Sequence, residues 1–255
     1  MSISIWTQCG GRRNAAPYQG SVWRVVEAQH RNATRRLVDS DAEQALLETL
    51  LDQVKPPAPS GPEFRGLHYL LATPFRHSPL AHGSRFGTRA ERSLFYASET
   101  VEPALAETAY YRLLFLEGSA ADLGPVTVEL TAFEADVRTR RAVDLTTRAF
   151  RTHLPALISK SRYDASQALG AELRADGIDL VRYPSARDAA GGINVGLFSP
   201  RAFARKEPRN PGTWRCVASR AGVEMAELGW LGAQRRLVFP REQFLVRGVL
   251  PAPAV

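Results

Sequence analysis

From Gly83 to Leu116 the chain fits three consecutive elements with little slack between them, so any fold must bring their side chains close together. Gly83-Ser84-Arg85-Phe86-Gly87 reads as a tight loop, Ser93 to Ser98 as a short strand, and Val101 to Leu116 as a helix carrying Glu107. A cation, the ring of Tyr96 and a carboxylate thereby sit on neighbouring elements. Together they offer a donor for pyrophosphate, a face to stack on, and an anion beside a developing positive charge, which is what a dinucleotide site needs.

The rest of the chain mixes helix and strand. Ser21 to Glu27 reads as a strand. Ser40-Asp41-Ala42-Glu43 is a capping box that opens a helix with Leu46, Leu47, Leu50, Leu51 and Val54 on one face. The proline-rich stretch from Lys55 to Pro62 ends that helix. Pro125 to Phe133 alternates apolar and polar residues as a half-buried strand does, and Arg162 to Ala175 reads as an amphipathic helix stopped near Gly177. Further strands are expected at Ile178 to Tyr183, Asn194 to Phe198, Thr213 to Ser219 and Arg236 to Val249. Strands without regular helical crossovers favour an α+β fold over a doubly wound sheet. No G-x-G-x-x-G loop follows a strand, so a Rossmann mode of nucleotide binding is not expected.

At 255 residues and 44% hydrophobic content the chain can bury a substantial core. No apolar run approaches the roughly 20 residues that span a bilayer. The first ten residues carry no charged segment followed by an apolar run and a cleavage site, so a cytoplasmic location is expected. Cys9 and Cys216 have no partner at C-x-x-C spacing, and the five histidines form no H-x-x-x-H pattern, which argues against a metal site. The net charge of +7 raises the question of nucleic acid. Only Lys55, Lys160 and Lys206 are lysines, the arginines are scattered, and no zinc-finger or RRM signature is present, so direct nucleic-acid binding is disfavoured. A basic surface suits an acidic protein partner or an anionic substrate equally well.

Four short patterns, in this order, resemble the RES domain, the toxin half of a bacterial toxin–antitoxin pair. They are Gly83-Ser84-Arg85-Phe86, Tyr96-Ala97-Ser98, Ala104-Leu105-Ala106-Glu107, and Pro184-Ser185 followed by Gly192-Ile193-Asn194-Val195-Gly196. The likeness is strongest over 81–111, extends over 178–200, and touches Trp23-Arg24-Val25. It implies an ADP-ribosyltransferase-like fold, with small mixed or antiparallel sheets and helices around a central cleft, and an enzyme that takes NAD as substrate without a metal. It also implies an Xre-like antitoxin encoded nearby that inserts a segment into the cleft.

On that resemblance Arg85, Tyr96, Glu107 and Ser185 are the candidate catalytic residues, and Arg24, Arg85, Tyr96 and Asn194 the candidate NAD contacts. Each also has a plainer reading. Arg85 can be one more surface arginine, and Tyr96 a core aromatic rather than a ring stacked on nicotinamide or flanking the ribose. Glu107 can form a structural salt bridge to Arg85 or Arg112 rather than stabilise an oxocarbenium-like charge. Ser185 can cap a turn rather than contact substrate, and no Ser-His-Asp setting would make it a nucleophile. Arg24 aligns as a second phosphate contact, and Asn194 either has a polar role or begins a strand.

The chain is expected to be one domain, 1–255, with an insertion at 28–80 and an extension from about 201 to 255. Those additions suit either a platform for a protein acceptor of ADP-ribose or a surface for the antitoxin. The acceptor itself, a protein side chain, phosphate or water, stays open. A non-catalytic protein-binding module with a vestigial cleft is the alternative from another class.

Overall fold

A computed structural model describes residues 3–28, 40–54, 56–57, 59–77, 82–121, 123–229 and 232–252. Parts of the expected 28–80 insertion, notably 29–39 and 78–81, lie outside them. The helices are α1 (Ile5–Gln8), α2 (Asp41–Val54), α3 (Tyr69–Ala72), α4 (Val101–Gly118), α5 (Leu154–Leu157) and α6 (Asp164–Ala175). The strands are β1 (Ala15–Glu27), β2 (Phe95–Ser98), β3 (Val126–Asp144), β4 (Leu180–Pro184), β5 (Ile193–Leu197), β6 (Arg209–Ser219), β7 (Gly222–Gly229) and β8 (Gly232–Pro240). The fold is α+β, with one mixed eight-stranded sheet.

The pairings explain how one sheet serves two purposes. β1 pairs with both β2 and β3, β2 with β5, β5 with β4, and β4 in parallel with β3, so these five strands close a ring. The earlier half of β3 pairs instead with β6, which continues into β7 and β8 as an antiparallel meander. The small sheets expected from the resemblance are thus two parts of one sheet joined along β3.

β3 runs 19 residues, well past the expected end at Phe133. The arginines at 138, 140 and 141 obscure its alternation in the sequence, yet Val137 and Thr139 are buried while Arg138 and Arg140 face solvent. β7 was not expected. Its Glu, Met and Ala residues favour helix, but hydrogen bonding between β6 and β8 overrides that preference. The last strand ends at Pro240 rather than Val249, and a 3-10 turn follows at Arg241–Phe244. Ser40 caps α2 as expected, its Oγ accepting from Glu43 N at 3.2 Å. On the apolar face of α2, Leu46 and Leu50 are exposed and Leu47 is half-buried.

Helix α4 is apolar on nearly all sides and is therefore central. Leu105, Ala109, Tyr110 and Leu113 pack against Trp214, Cys216, Met225, Phe239 and Phe244 from β6–β8 and the turn beyond, so the C-terminal segment backs the helix that carries Glu107. Odd-numbered residues of β2 and β5, namely Phe95, Ala97, Val195 and Leu197, share a core with Phe64, Leu71 and Phe75. The alternation of strand side chains sends the even-numbered Tyr96, Ser98 and Asn194 to the opposite face. In register across β2, β5 and β4, Ser98, Asn194 and Tyr183 form one row there.

Candidate functional site

That row floors a cleft of about 280 Å³, walled by β1 (Trp23, Arg24, Val25), the Arg85 loop, and the α4 residues Ala104, Glu107, Thr108 and Tyr111. Tyr163, just before α6, closes one end.

The loop is held tightly. Ser84 N donates to Gly87 O at 2.7 Å, and Gly83 adopts φ +71°, where a Cβ would lie 2.5 Å from Gly87 O. Tyr96 Oη accepts from Phe86 N and shares a hydrogen with Ser84 Oγ, each at 2.9 Å. The phenol therefore fastens the loop while its ring lines the cleft. Burial pushes its pKa up to about 12, against the opposing pull of those two bonds. From the other side Gln167 Nε2 donates to His82 O and Ser84 O, at 2.9 and 3.0 Å. A Cβ on Gly170 would lie 2.2 Å from Phe86 O, so α6 abuts the loop backbone directly.

Arg85 is buried, with 7% exposure, and its guanidinium carbon lies 4.8 Å from the centroid of the Tyr163 ring. Nη1 donates to the carbonyls of Leu157 (3.2 Å) and Ser159 (2.9 Å). Nε and Nη2 bond no described residue. Arg24 crosses from β1, donates Nη1 to Tyr96 O at 2.6 Å and lies 5.0 Å from the Phe95 ring centroid, while its buried Nε has no partner. Desolvation lowers the Arg24 pKa to about 10, which leaves it a cation at neutral pH. Neither arginine pairs with a carboxylate among the described residues.

Glu107 shows the reverse imbalance. Oε1 accepts from Asn194 Nδ2 at 2.9 Å and from Ser185 Oγ at 3.2 Å, and Oε2 accepts from no described residue. It makes no salt bridge to Arg85 or to Arg112, which pairs with Glu27. Asn194 is fixed in turn by Ser98 Oγ, which donates to its Oδ1 at 2.7 Å. Ser185 Oγ accepts from the backbone N–H groups of Arg187 and Asp188, each at 3.2 Å. It does not line the cleft: it stands behind Glu107 and orients it.

The sequence thus singles out Arg24, Arg85, Tyr96, Glu107, Ser185 and Asn194, and the fold gathers all six around one cleft. It did not single out Trp23, Tyr111 or Tyr163 as site residues: Trp23 neighbours Arg24 on β1 and Tyr111 follows Glu107 by one turn of α4, while Tyr163 precedes a helix that looks unrelated in sequence. Nor did it single out Arg187, which is 1% exposed. Its guanidinium carbon lies 3.5 Å from the Tyr110 ring centroid and Nη2 donates to Lys160 O at 2.8 Å, while Nε and Nη1 are unpartnered. Its position two residues after Ser185 is the one signal that pointed there. Lys160 is close enough that burial, and then Arg187, lower its pKa. The surroundings of the cleft thus hold an excess of desolvated cations, an arrangement suited to an anionic ligand.

The RES domain family model matches residues 62–219, more than half of the chain. No curated protein matches the chain at a significant level. Among solved structures, the chain is similar to one in the crystal structure of the M. tuberculosis MbcT-MbcA toxin-antitoxin complex. Identity is 14%, covering 85% of this chain and 93% of that one, with a TM-score of 0.47.

Proposed function

The protein belongs to the RES domain family, and on that premise we propose that it binds NAD and cleaves the nicotinamide–ribose bond as the toxin of a toxin–antitoxin pair. The observation that carries the proposal is the charge pattern of the cleft. Two arginines without carboxylate partners face the same space as a carboxylate without a cation. In a fold stabilised only by internal pairing, those charges would be matched to one another. Left apart, they suit a ligand that is anionic at one end and becomes cationic at the other.

In this reading Arg24 and Arg85 take the pyrophosphate. Arg85 already commits Nη1 to two carbonyls, so its free Nε and Nη2 form an oriented pair of donors that loses little entropy on binding. The rings of Tyr96, Trp23 and Tyr111 offer faces for the nicotinamide riboside. Glu107 stabilises the ribosyl cation as the C–N bond breaks and nicotinamide leaves as a neutral molecule with the bonding electron pair. Asn194 and Ser185 hold the carboxylate in place, and it neither gains nor loses a proton. An acceptor oxygen then attacks C1′ and gives up its proton to solvent. A protein side chain as acceptor makes the reaction ADP-ribosyl transfer; phosphate or water makes it NAD degradation. An Xre-like antitoxin that fills the cleft would control either.

Incubation of the protein with NAD labelled in the adenylate half, followed by separation of protein from small molecules, tests the reaction and sorts the acceptors. Recovery of all label as intact NAD from folded protein would refute the proposal.

A further inference from the structure

Immediately beyond the Arg85 loop in the chain, a second concavity of about 320 Å³ opens beside the proline-rich stretch. Pro56, Pro57 and Pro59 line it together with Arg76, Arg89 and Arg92. Two of these arginines are held in place. Arg76 donates Nε to Pro56 O, and the Arg92 guanidinium carbon lies 5.6 Å from the Phe64 ring centroid. The terminal nitrogens of Arg76, the whole fork of Arg92 and the exposed Arg89 bond no described residue. Glu91 is the one carboxylate among the described lining residues, and it is already engaged. Its Oε2 accepts from Thr88 N and Oγ1, and its Oε1 faces Arg174 Nε at 3.6 Å.

We propose that this concavity docks an acidic segment of a partner protein, an extended stretch with carboxylates spaced along it and one aliphatic side chain against the prolines. Three guanidinium groups whose terminal nitrogens bond no described residue suit several carboxylates on one strand, since each can meet a carboxylate with two N–H groups and two are already ordered. The proline wall is rigid and apolar, so a side chain covers it at little entropic cost. An open basin with exposed arginines gives a lone small anion little shelter from solvent and salt. A nucleic acid would want several exposed rings for successive bases, whereas Phe75 is buried and the one exposed ring among the described lining residues is His77. The proposal is independent of NAD, because none of these residues lines the NAD cleft.

The test is fluorescence anisotropy of a labelled octapeptide, Glu-Asp-Leu-Glu-Asp-Leu-Glu-Asp, with the full chain at near-physiological salt. R89Q/R92Q removes no hydrogen bond between described residues and should weaken binding at least ~5-fold, and R76Q/R89Q/R92Q at least ~10-fold. The control R138Q/R140Q/R151Q changes three exposed arginines elsewhere, takes the same three charges from the net +7, and should stay within ~2-fold of wild type. Equal weakening by both triple variants would mean diffuse attraction and overturn the proposal. So would unchanged binding by R89Q/R92Q, or no binding by wild type. Tighter binding of a single-stranded RNA of equal length, or saturation by inorganic phosphate, through the same arginines would overturn it in favour of those ligands.

Discussion

Replacing Glu107 with glutamine changes one atom and one charge, and the structure specifies what each does. The amide oxygen keeps the acceptor role of Oε1, so the bonds from Asn194 (2.9 Å) and Ser185 (3.2 Å) survive. The amide nitrogen takes the place of Oε2, which bonds no described residue. No ion pair is lost, so folding should cost under ~1 kcal/mol, and removing a half-buried charge that lacks a cation partner can even raise Tm. What is lost is attraction for the ribosyl cation. A unit charge ~4 Å away at an effective dielectric of ~20 contributes about 4 kcal/mol, which bounds the effect near 10³-fold. Loss of one electrostatic stabiliser in enzymes generally falls between about 10² and 10³ in kcat. Glu107→Gln should therefore slow nicotinamide release by at least about 100-fold, with NAD affinity within about 3-fold of wild type, since the pyrophosphate contacts remain. The assay is chromatographic nicotinamide release alongside calorimetric NAD binding and a melting curve. Wild-type turnover in folded protein would refute the reasoning, and so would a loss confined to NAD affinity.

Other perturbations separate binding, support and control. Arg85→Lys keeps a positive charge but loses the fork, so calorimetry should find NAD affinity weaker by about 1–3 kcal/mol; unchanged affinity would make Arg85 structural. Gly170→Ala places a methyl group 2.2 Å from Phe86 O, so the loop must shift, at a cost of about 1–3 kcal/mol visible as a lower Tm together with weaker NAD binding; a wild-type melting curve would contradict the close packing of α6 on the loop. An antitoxin that occupies the cleft should bind more weakly as a non-hydrolysable NAD analogue saturates the site, and a ternary complex with undiminished antitoxin affinity would place its action elsewhere.

The parts of the site that sequence revealed are those whose geometry is local. A glycine-bounded loop, a short strand and a small-residue helix follow one another within 83–116, so Arg85, Tyr96 and Glu107 were legible as neighbours. Asn194 and Ser185 were legible as residues around a strand, but their task was not, because the bonds to Glu107 span 87 and 78 positions. The use of the Tyr96 hydroxyl as a fastener for the loop was hidden for a similar reason: it depends on which face of β2 meets the loop. Trp23 beside Arg24 and Tyr111 one helical turn after Glu107 were within reach of a local reading, whereas Tyr163 reaches the cleft only through the placement of the residues before α6, which no local pattern encodes. The arginines at 138, 140 and 141 concealed half of β3, and the helix-favouring residues of β7 concealed a strand that only its neighbours on the sheet could specify.

The central claim is that one bond of NAD breaks. Purified protein, free of any antitoxin, should be given NAD carrying one label in the nicotinamide ring and another in the adenine. The account predicts one free nicotinamide for each NAD consumed, with the adenine label kept in an intact ADP-ribosyl unit and the reaction abolished in Glu107→Gln. Release of nicotinamide mononucleotide and AMP, from cleavage at the pyrophosphate, would contradict it, as would NAD left intact by protein that binds it.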